Sequence, residues 1–289
     1  MSPEAIIDGL FAGSVYALVA LALTIVFQPT RIMNFAQGEA VILGAAAAYQ
    51  IVALEKLGWV VTLGVTIVLA ALMGLLMERM IMLPVRMSGS RYAWIIATLA
   101  AALIFQSLFN LAFIDVDALR PNPVIAGGFQ VAGITVEWQE ALTIVVALVV
   151  MAGYDLFLRR SVYGRAIRAT AHSSDTSVLM GIPVQRIVVL SFVIGAVITA
   201  VAGMLAAPVI FVAPATGLMF TIKGFTAAVI GGVGSPRGAL VGGMIVGVLD
   251  TVVRSLVGGS VGNFAVFAAL AVILVVFPSG LFGKPMEAH

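Results

Sequence analysis

The chain has 289 residues, of which 62% are hydrophobic and 10% charged, and its net charge is +2. Soluble domains carry about 45–50% apolar and about 25% charged residues, and so few charges cannot coat a water-soluble globule of this size. The composition excludes a soluble enzyme, a disordered chain and a nucleic-acid binder, and it specifies a polytopic membrane protein.

In chain order, apolar blocks of about 20 residues alternate with short polar breaks, the pattern of membrane-crossing helices. Crossings are predicted near 5–27, 36–54, 60–83, 93–114, 139–158, 187–209, 238–257 and 262–282. No basic residue precedes Arg31, so 5–27 is expected to be an uncleaved first span rather than a signal peptide. A shorter, glycine-interrupted piece, 221–234, is expected to form a broken or re-entrant helix. The predicted fold is therefore all-α, one transmembrane helical bundle over 1–289 with about eight or nine spans.

Lysine and arginine sort the two sides. With the N-terminus outside and 221–234 crossing, eleven basic residues fall inside, from Arg31 to Lys284. Only Lys56, Arg120, Lys223 and Arg254 fall outside, and the positive-inside rule favours this orientation, with the C-terminus inside. Trp59, Trp94 and Trp138 each stand at a span entrance, where an interfacial belt places them. The loop 115–138 is then external, and the loop 159–186, with its five arginines, is cytoplasmic. Within that loop Asp175–Met180 is expected to be a short helix capped by Ser174 or Asp175 and ended by Gly181. Such a loop either fixes topology or docks a soluble partner.

Several chemistries fail on residue type. Cysteine is absent and only two histidines occur, so disulfides, Fe–S clusters and a histidine metal site are not expected. A P-loop needs Gly-Lys-Ser/Thr, but Lys284 is the one lysine preceded by glycine and Pro285 follows it. Any ATP hydrolysis must come from another polypeptide. Gly258–Gly262 matches G-x-S-x-G around Ser260, but both histidines lie on the opposite side, leaving the serine without a base. The four-residue spacing of Gly9/Gly13, Gly234/Gly238/Gly242 and Gly243/Gly247 instead predicts close helix packing.

Polar residues inside spans are costly and therefore informative. Asn34, Gln37 and Glu39 at the start of the second span either line a cavity or hydrogen-bond neighbouring helices. Thr98, Gln106, Asn110, Lys223 and Thr226 are weaker candidates of the same kind. Asp250 and Arg254 form an expected i,i+4 ion pair near an outer helix end.

Four stretches resemble, in order, the permeases of branched-chain amino acid ABC importers: GLFAGSVYALVALALTIVFQPTRIMNFAQGE, GRAIRATAHSSDTSVLMGIPVQRIVVLSFVIGAVITAVAGMLAAP, GFTAAVIGGVGSPRGALVGGMIVGVLD and FPSGLFGKP. The resemblance covers about 5–285. It implies a bacterial inner-membrane permease subunit for branched-chain or other small amino acids. The implied partners are a second homologous permease, two cytoplasmic ATPase subunits that carry ATP and Mg, and a periplasmic or lipid-anchored substrate-binding protein. The chain itself would bind no cofactor. The matching motifs make Asn34, Gln37, Gly38 and Glu39 substrate-pathway candidates, with Gln106, Lys223 and Thr226 added from the polar census. Arg165, Arg168, Asp175, Gly181 and Ile182 become ATPase-coupling candidates. A stand-alone secondary transporter or channel is the main competing reading, and an intramembrane serine hydrolase the next.

Overall fold

A computed structural model describes residues 3–88, 90, 92–114, 116–131, 134–258, 264, 266–268, 271, 272 and 280–282. The predicted last span 262–282, Ser260, Arg91, Asp115, Lys284 and His289 lie largely or wholly outside the described residues.

Six described helices are long and apolar enough to cross a membrane. They are α1 (Pro3–Thr30), α3 (Trp59–Ser88), α4 (Ala93–Ala112), α5 (Trp138–Arg160), α8 (Val184–Ala206) and α10 (Pro236–Val257). Their ends fall within a few residues of the predicted spans. Helix α1 is the hub: 89% of its most apolar 18-residue stretch is buried, against 28–33% for α3, α4, α5 and α10. The outer helices turn leucines, isoleucines and valines outward, as lipid-facing helices do, among them Val60, Leu76, Ile96, Leu111 and Val149.

Two shorter apolar helices fill the interior. Helix α2 (Glu39–Ala48) runs on into a π-helical turn, Tyr49–Leu54, and α9 spans Gly217–Gly231. At about 1.5 Å per residue each is roughly 22–24 Å long, short of the hydrocarbon core of about 30 Å. Irregular backbone completes each crossing, 31–38 before α2 and 207–216 before α9. The piece predicted at 221–234 is thus the helical half of a broken crossing. The span predicted at 36–54 is helical from Glu39 to Leu54, and the polar stretch 31–38 that precedes it supplies the rest of the crossing.

The remaining elements cap the two ends. The predicted cytoplasmic loop contains not one helix but two, α6 (Val162–His172) and α7 (Ser174–Leu179). Helix α7 is capped by Ser173, one residue earlier than predicted, whose Oγ accepts from the Thr176 N–H at 3.2 Å. The predicted external loop holds an antiparallel hairpin, β1 (Gly128–Val131) with β2 (Ile134–Glu137), the described exception to an otherwise helical chain. Arg31 donates to Ala171 O, Gln28 to Gly234 O at 2.9 Å, and Arg237 pairs with Asp155 at 3.4 Å. These contacts gather the end of α1, the end of α5, α6 and the start of α10 into one basic end. The hairpin lies at the opposite end, where the Leu119 N–H donates to Val212 O at 2.7 Å.

Glycine brings α1 and α10 into backbone contact. A Cβ built on Gly13 would lie 2.9 Å from Gly243 O, and one on Gly9 would lie 2.8 Å from Val248 Cα. This is the small-residue packing that membrane helices use in place of hydrophobic burial. Overpacking such a contact typically costs about 1–3 kcal/mol. Gly13→Val is expected to lower the thermal unfolding midpoint in detergent by several degrees. Gly64→Val on α3, where nothing lies within 4 Å of the added carbon, should leave that midpoint unchanged.

Candidate functional site

The two irregular stretches meet inside the bundle. The Gly38 N–H donates to Thr221 Oγ1 at 2.7 Å, and the Thr221 hydroxyl donates to Phe35 O at 3.0 Å. From this junction α2 runs toward the hairpin end, where Tyr49 meets Phe113 edge-on, and α9 runs toward the basic end. The two half-helices therefore start side by side and diverge, with both N-termini at one level. Glycine makes the approach possible, because a Cβ on Gly38 would collide with Gly217 O.

Asn34, Gln37, Gly38 and Glu39 all lie at this junction, and the three side chains are buried. Asn34 caps the turn before α2: its Oδ1 accepts from the Ala36 N–H at 3.0 Å, and its Nδ2 donates to Gln37 Oε1 at 3.2 Å. Gln37 Nε2 donates to Thr199 Oγ1 of α8 at 2.9 Å, so the amide pair ties the broken crossing to an unbroken one. Glu39 differs. Its carboxylate is fully buried, has no hydrogen-bond partner, and packs where a Cβ on Gly217 would fall.

The other pathway candidates are dispersed. Gln106 on α4 donates to Ala215 O at 3.0 Å and steadies the irregular stretch before α9. Thr226 turns its hydroxyl back onto Ile222 O at 2.9 Å, a bond within its own helix. Lys223, sorted to the outer end of the 221–234 piece, belongs to a separate cluster inside the bundle. Its Nζ donates to Asp250 Oδ2 at 2.7 Å and to Tyr16 OH at 3.1 Å, the Tyr16 hydroxyl donates to the same Oδ2 at 3.0 Å, and Arg254 Nε reaches Oδ1 at 2.8 Å. The local Asp250–Arg254 pair expected near a helix end is thus half of a buried network joining α1, α9 and α10. Spacing of four reveals the Arg254 partner. Lys223 and Tyr16 are 27 and 234 residues from Asp250, and no local signal connects them.

At the basic end Arg165 and Arg168 are exposed on α6, while Gly164, Ile167 and Thr170 on its other face are buried against the bundle. Asp175 opens α7 and is exposed. Gly181 has φ +78°, the left-handed conformation that ends a helix most easily at glycine, and the Ile182 N–H returns to Ser177 O at 3.0 Å. Between them Val178, Leu179 and Met180 project at 59%, 87% and 76% exposure. Sequence reasoning passes over these three apolar residues, although their place between a helix cap and a terminating glycine marks them as exposed.

Residues 5–277 match the family described as "Branched-chain amino acid transport system / permease component". The high-affinity branched-chain amino acid transport system permease protein BraD of Pseudomonas aeruginosa is 32% identical, over 98% of this chain and 96% of that protein. LivH of Escherichia coli K12, of the same description, is 32% identical over 96% and 94% of the two chains. A probable branched-chain amino acid transport permease LivH of Methanocaldococcus jannaschii is 25% identical over 96% and 89%. Among solved structures, PsaBC from Streptococcus pneumoniae shares the fold with a TM-score of 0.53 at 15% identity, covering 96% of this chain and 92% of that one.

Removing one member of a buried ion pair typically costs about 3–5 kcal/mol, whereas replacing both with apolar residues is often neutral. Asp250→Leu, which strands Lys223, is therefore expected to lower the unfolding midpoint strongly. The double variant Lys223→Met/Asp250→Leu should recover most of the loss. Thermal denaturation of the three proteins in detergent checks the order.

Proposed function

Because the chain belongs to the branched-chain amino acid transport permease family, we propose that it is one of two permease chains in an inner-membrane ABC importer for branched-chain or related small amino acids. The permease subunit performs no chemistry of its own. In this reading two cytoplasmic ATPases bind ATP and Mg and drive it, and a binding protein delivers the solute from the opposite side. The orientation that suits this division has the N-terminus outside, the hairpin end facing the binding protein and the basic end facing the cytoplasm.

The observation that carries the proposal is the form of the basic end. A six-residue helix, fixed by a serine cap and a left-handed glycine, holds Val178, Leu179 and Met180 out at 59–87% exposure. Such apolar residues beyond the bundle need a partner to cover them. The cations around them, Arg79 and Arg186 beside Ile182 and Arg165 and Arg168 on α6, suit an acidic rim. Helix α6 ties this knob to the transmembrane core through buried Ile167 and through the Arg31–Ala171 bond. A push on α7 is thereby delivered to the end of α1 and to the 31–38 stretch that leads into the junction. Loop 159–186 is accordingly the coupling loop and Asp175, Gly181 and Ile182 its shaping residues.

The purified chain reconstituted alone should take up no leucine, whereas the assembled importer with ATP and binding protein should. Uptake by the isolated chain would point to a channel or secondary transporter. Leu179→Glu should reduce ATPase co-purification at least tenfold without changing the unfolding midpoint of the permease; undiminished co-purification would move the docking site elsewhere.

A further inference from the structure

Among the described residues, every buried carboxylate but one has an ion-pair or hydrogen-bond partner. Glu78 is flanked by Arg79 at 3.7 Å and Arg86 at 3.8 Å, Asp250 by Lys223 and Arg254 at 2.7 and 2.8 Å, and Glu140 closes a capping box with the Glu137 N–H at 3.2 Å. Glu39 has none of these. Both its oxygens are buried without a hydrogen-bond partner, and the residue is 0% exposed in the middle of the bundle. A buried polar group left unpaired costs about 1–3 kcal/mol, and a charged one more, so its persistence asks for a function.

Its surroundings narrow the ligand. Glu39 is the first residue of α2 and packs against Gly217, the first residue of α9, so the carboxylate stands where two half-helices begin. The amides of Asn34 and Gln37 are already committed to each other, to Ala36 and to Thr199. The two half-helix N-termini lend the carboxylate partial positive charge, and what it lacks is a hydrogen-bond donor or a full cation. The buried lysine of the bundle does not supply one, because Lys223 is bound to Asp250 and Tyr16. The absence of a Cβ at Gly217 leaves the carboxylate separated from the start of α9 by little more than that missing atom. A compact cation inserted as the junction parts would meet the carboxylate directly.

We propose that Glu39 is the counter-ion for the ammonium group of the transported solute. The closed junction is then the empty, occluded form of an α-amino acid site, and loosening the Gly38–Thr221 and Thr221–Phe35 bonds opens it. The proposal rests on the amino acid importer reading and specifies which group of the solute this chain recognises. It also places an intrinsic site in the permease, distinct from that of the binding protein.

The test uses the assembled importer without its binding protein and measures equilibrium binding of radiolabelled leucine. Leucine methyl ester keeps the ammonium and loses the carboxylate; 4-methylpentanoate keeps the side chain and carboxylate and loses the ammonium. The ester is expected to compete with leucine at least tenfold better than 4-methylpentanoate. Glu39→Gln should weaken leucine binding at least tenfold, while Glu39→Asp stays within about threefold of the wild type. Equal competition by the two analogues, binding by Glu39→Gln within twofold of wild type, or no leucine binding by an assembly that imports leucine when the binding protein is added, each overturns the proposal. The analogue series uses the unaltered protein and decides the question even where a variant fails to assemble. Absence of ATP-dependent leucine uptake by the complete wild-type importer would instead overturn the underlying reading.

Discussion

The bilayer core has no water to satisfy an unpaired backbone group, so irregular backbone at that depth must be enclosed by protein. Stretches 31–38 and 207–216 bring such backbone into the interior, and the bundle is arranged to cover them. Helix α1 is buried along nearly its whole length because α5, α8, α9 and α10 all pack against it. Contacts far apart in the chain serve this enclosure: Gln37 to Thr199, Gln106 to Ala215, and Thr221 to Gly38 and Phe35. Each gives a side-chain or backbone partner to a segment that has left helical geometry. Glycine appears where this wrapping demands backbone contact, at Gly38 against Gly217 and at Gly44 against Ala200.

The same constraint sets the electrostatics. A charge in this interior is tolerated when it is paired, and the Asp250 network pairs one carboxylate with two cations and a phenol. That cluster fastens α1, α9 and α10 to one another, leaving α9 anchored near its middle while its N-terminus abuts α2. Glu39, a few residues of helix away from that anchor, has no such partner. The contrast separates a paired ionic cluster from an unpaired carboxylate, and both sit beside the half-helix α9 that begins at the junction.

The basic end shows how a force could reach that junction. Helices α6 and α7 are short, and they lie across the ends of α1, α5 and α8 instead of continuing them. Their buried face is small, Gly164, Ile167, Thr170 and Ser177, yet it is joined to the residue that begins the 31–38 stretch through Arg31 and Ala171. The exposed knob of α7, helix α6 and the Arg31–Ala171 bond form one continuous physical connection to the broken backbone.

Much of this is legible from composition and spacing. The six long crossings, the glycine stripe between α1 and α10, the short helix ended by Gly181 and the unusual polarity of Asn34, Gln37 and Glu39 all follow from local rules: apolar run length, four-residue spacing, turn chemistry and the cost of polarity in lipid. The second crossing is legible as a short helix after a polar stretch, but the meeting of that stretch with the start of α9 is not, because residues 38 and 217 are far apart in the chain. Nor is the fate of each charge. Lys223 reads as the outer end of a half-helix because hydropathy gives no depth or partner for it, and only the packing of α9 against α1 and α10 carries it to Asp250 and Tyr16. The sequence by itself determined that the chain crosses a membrane many times, which residues were too polar to face lipid, and which family it resembles. The tertiary structure alone decided which of those polar residues satisfy one another and left Glu39 unsatisfied, because hydrogen-bond partnership depends on distances between helices far apart in the chain.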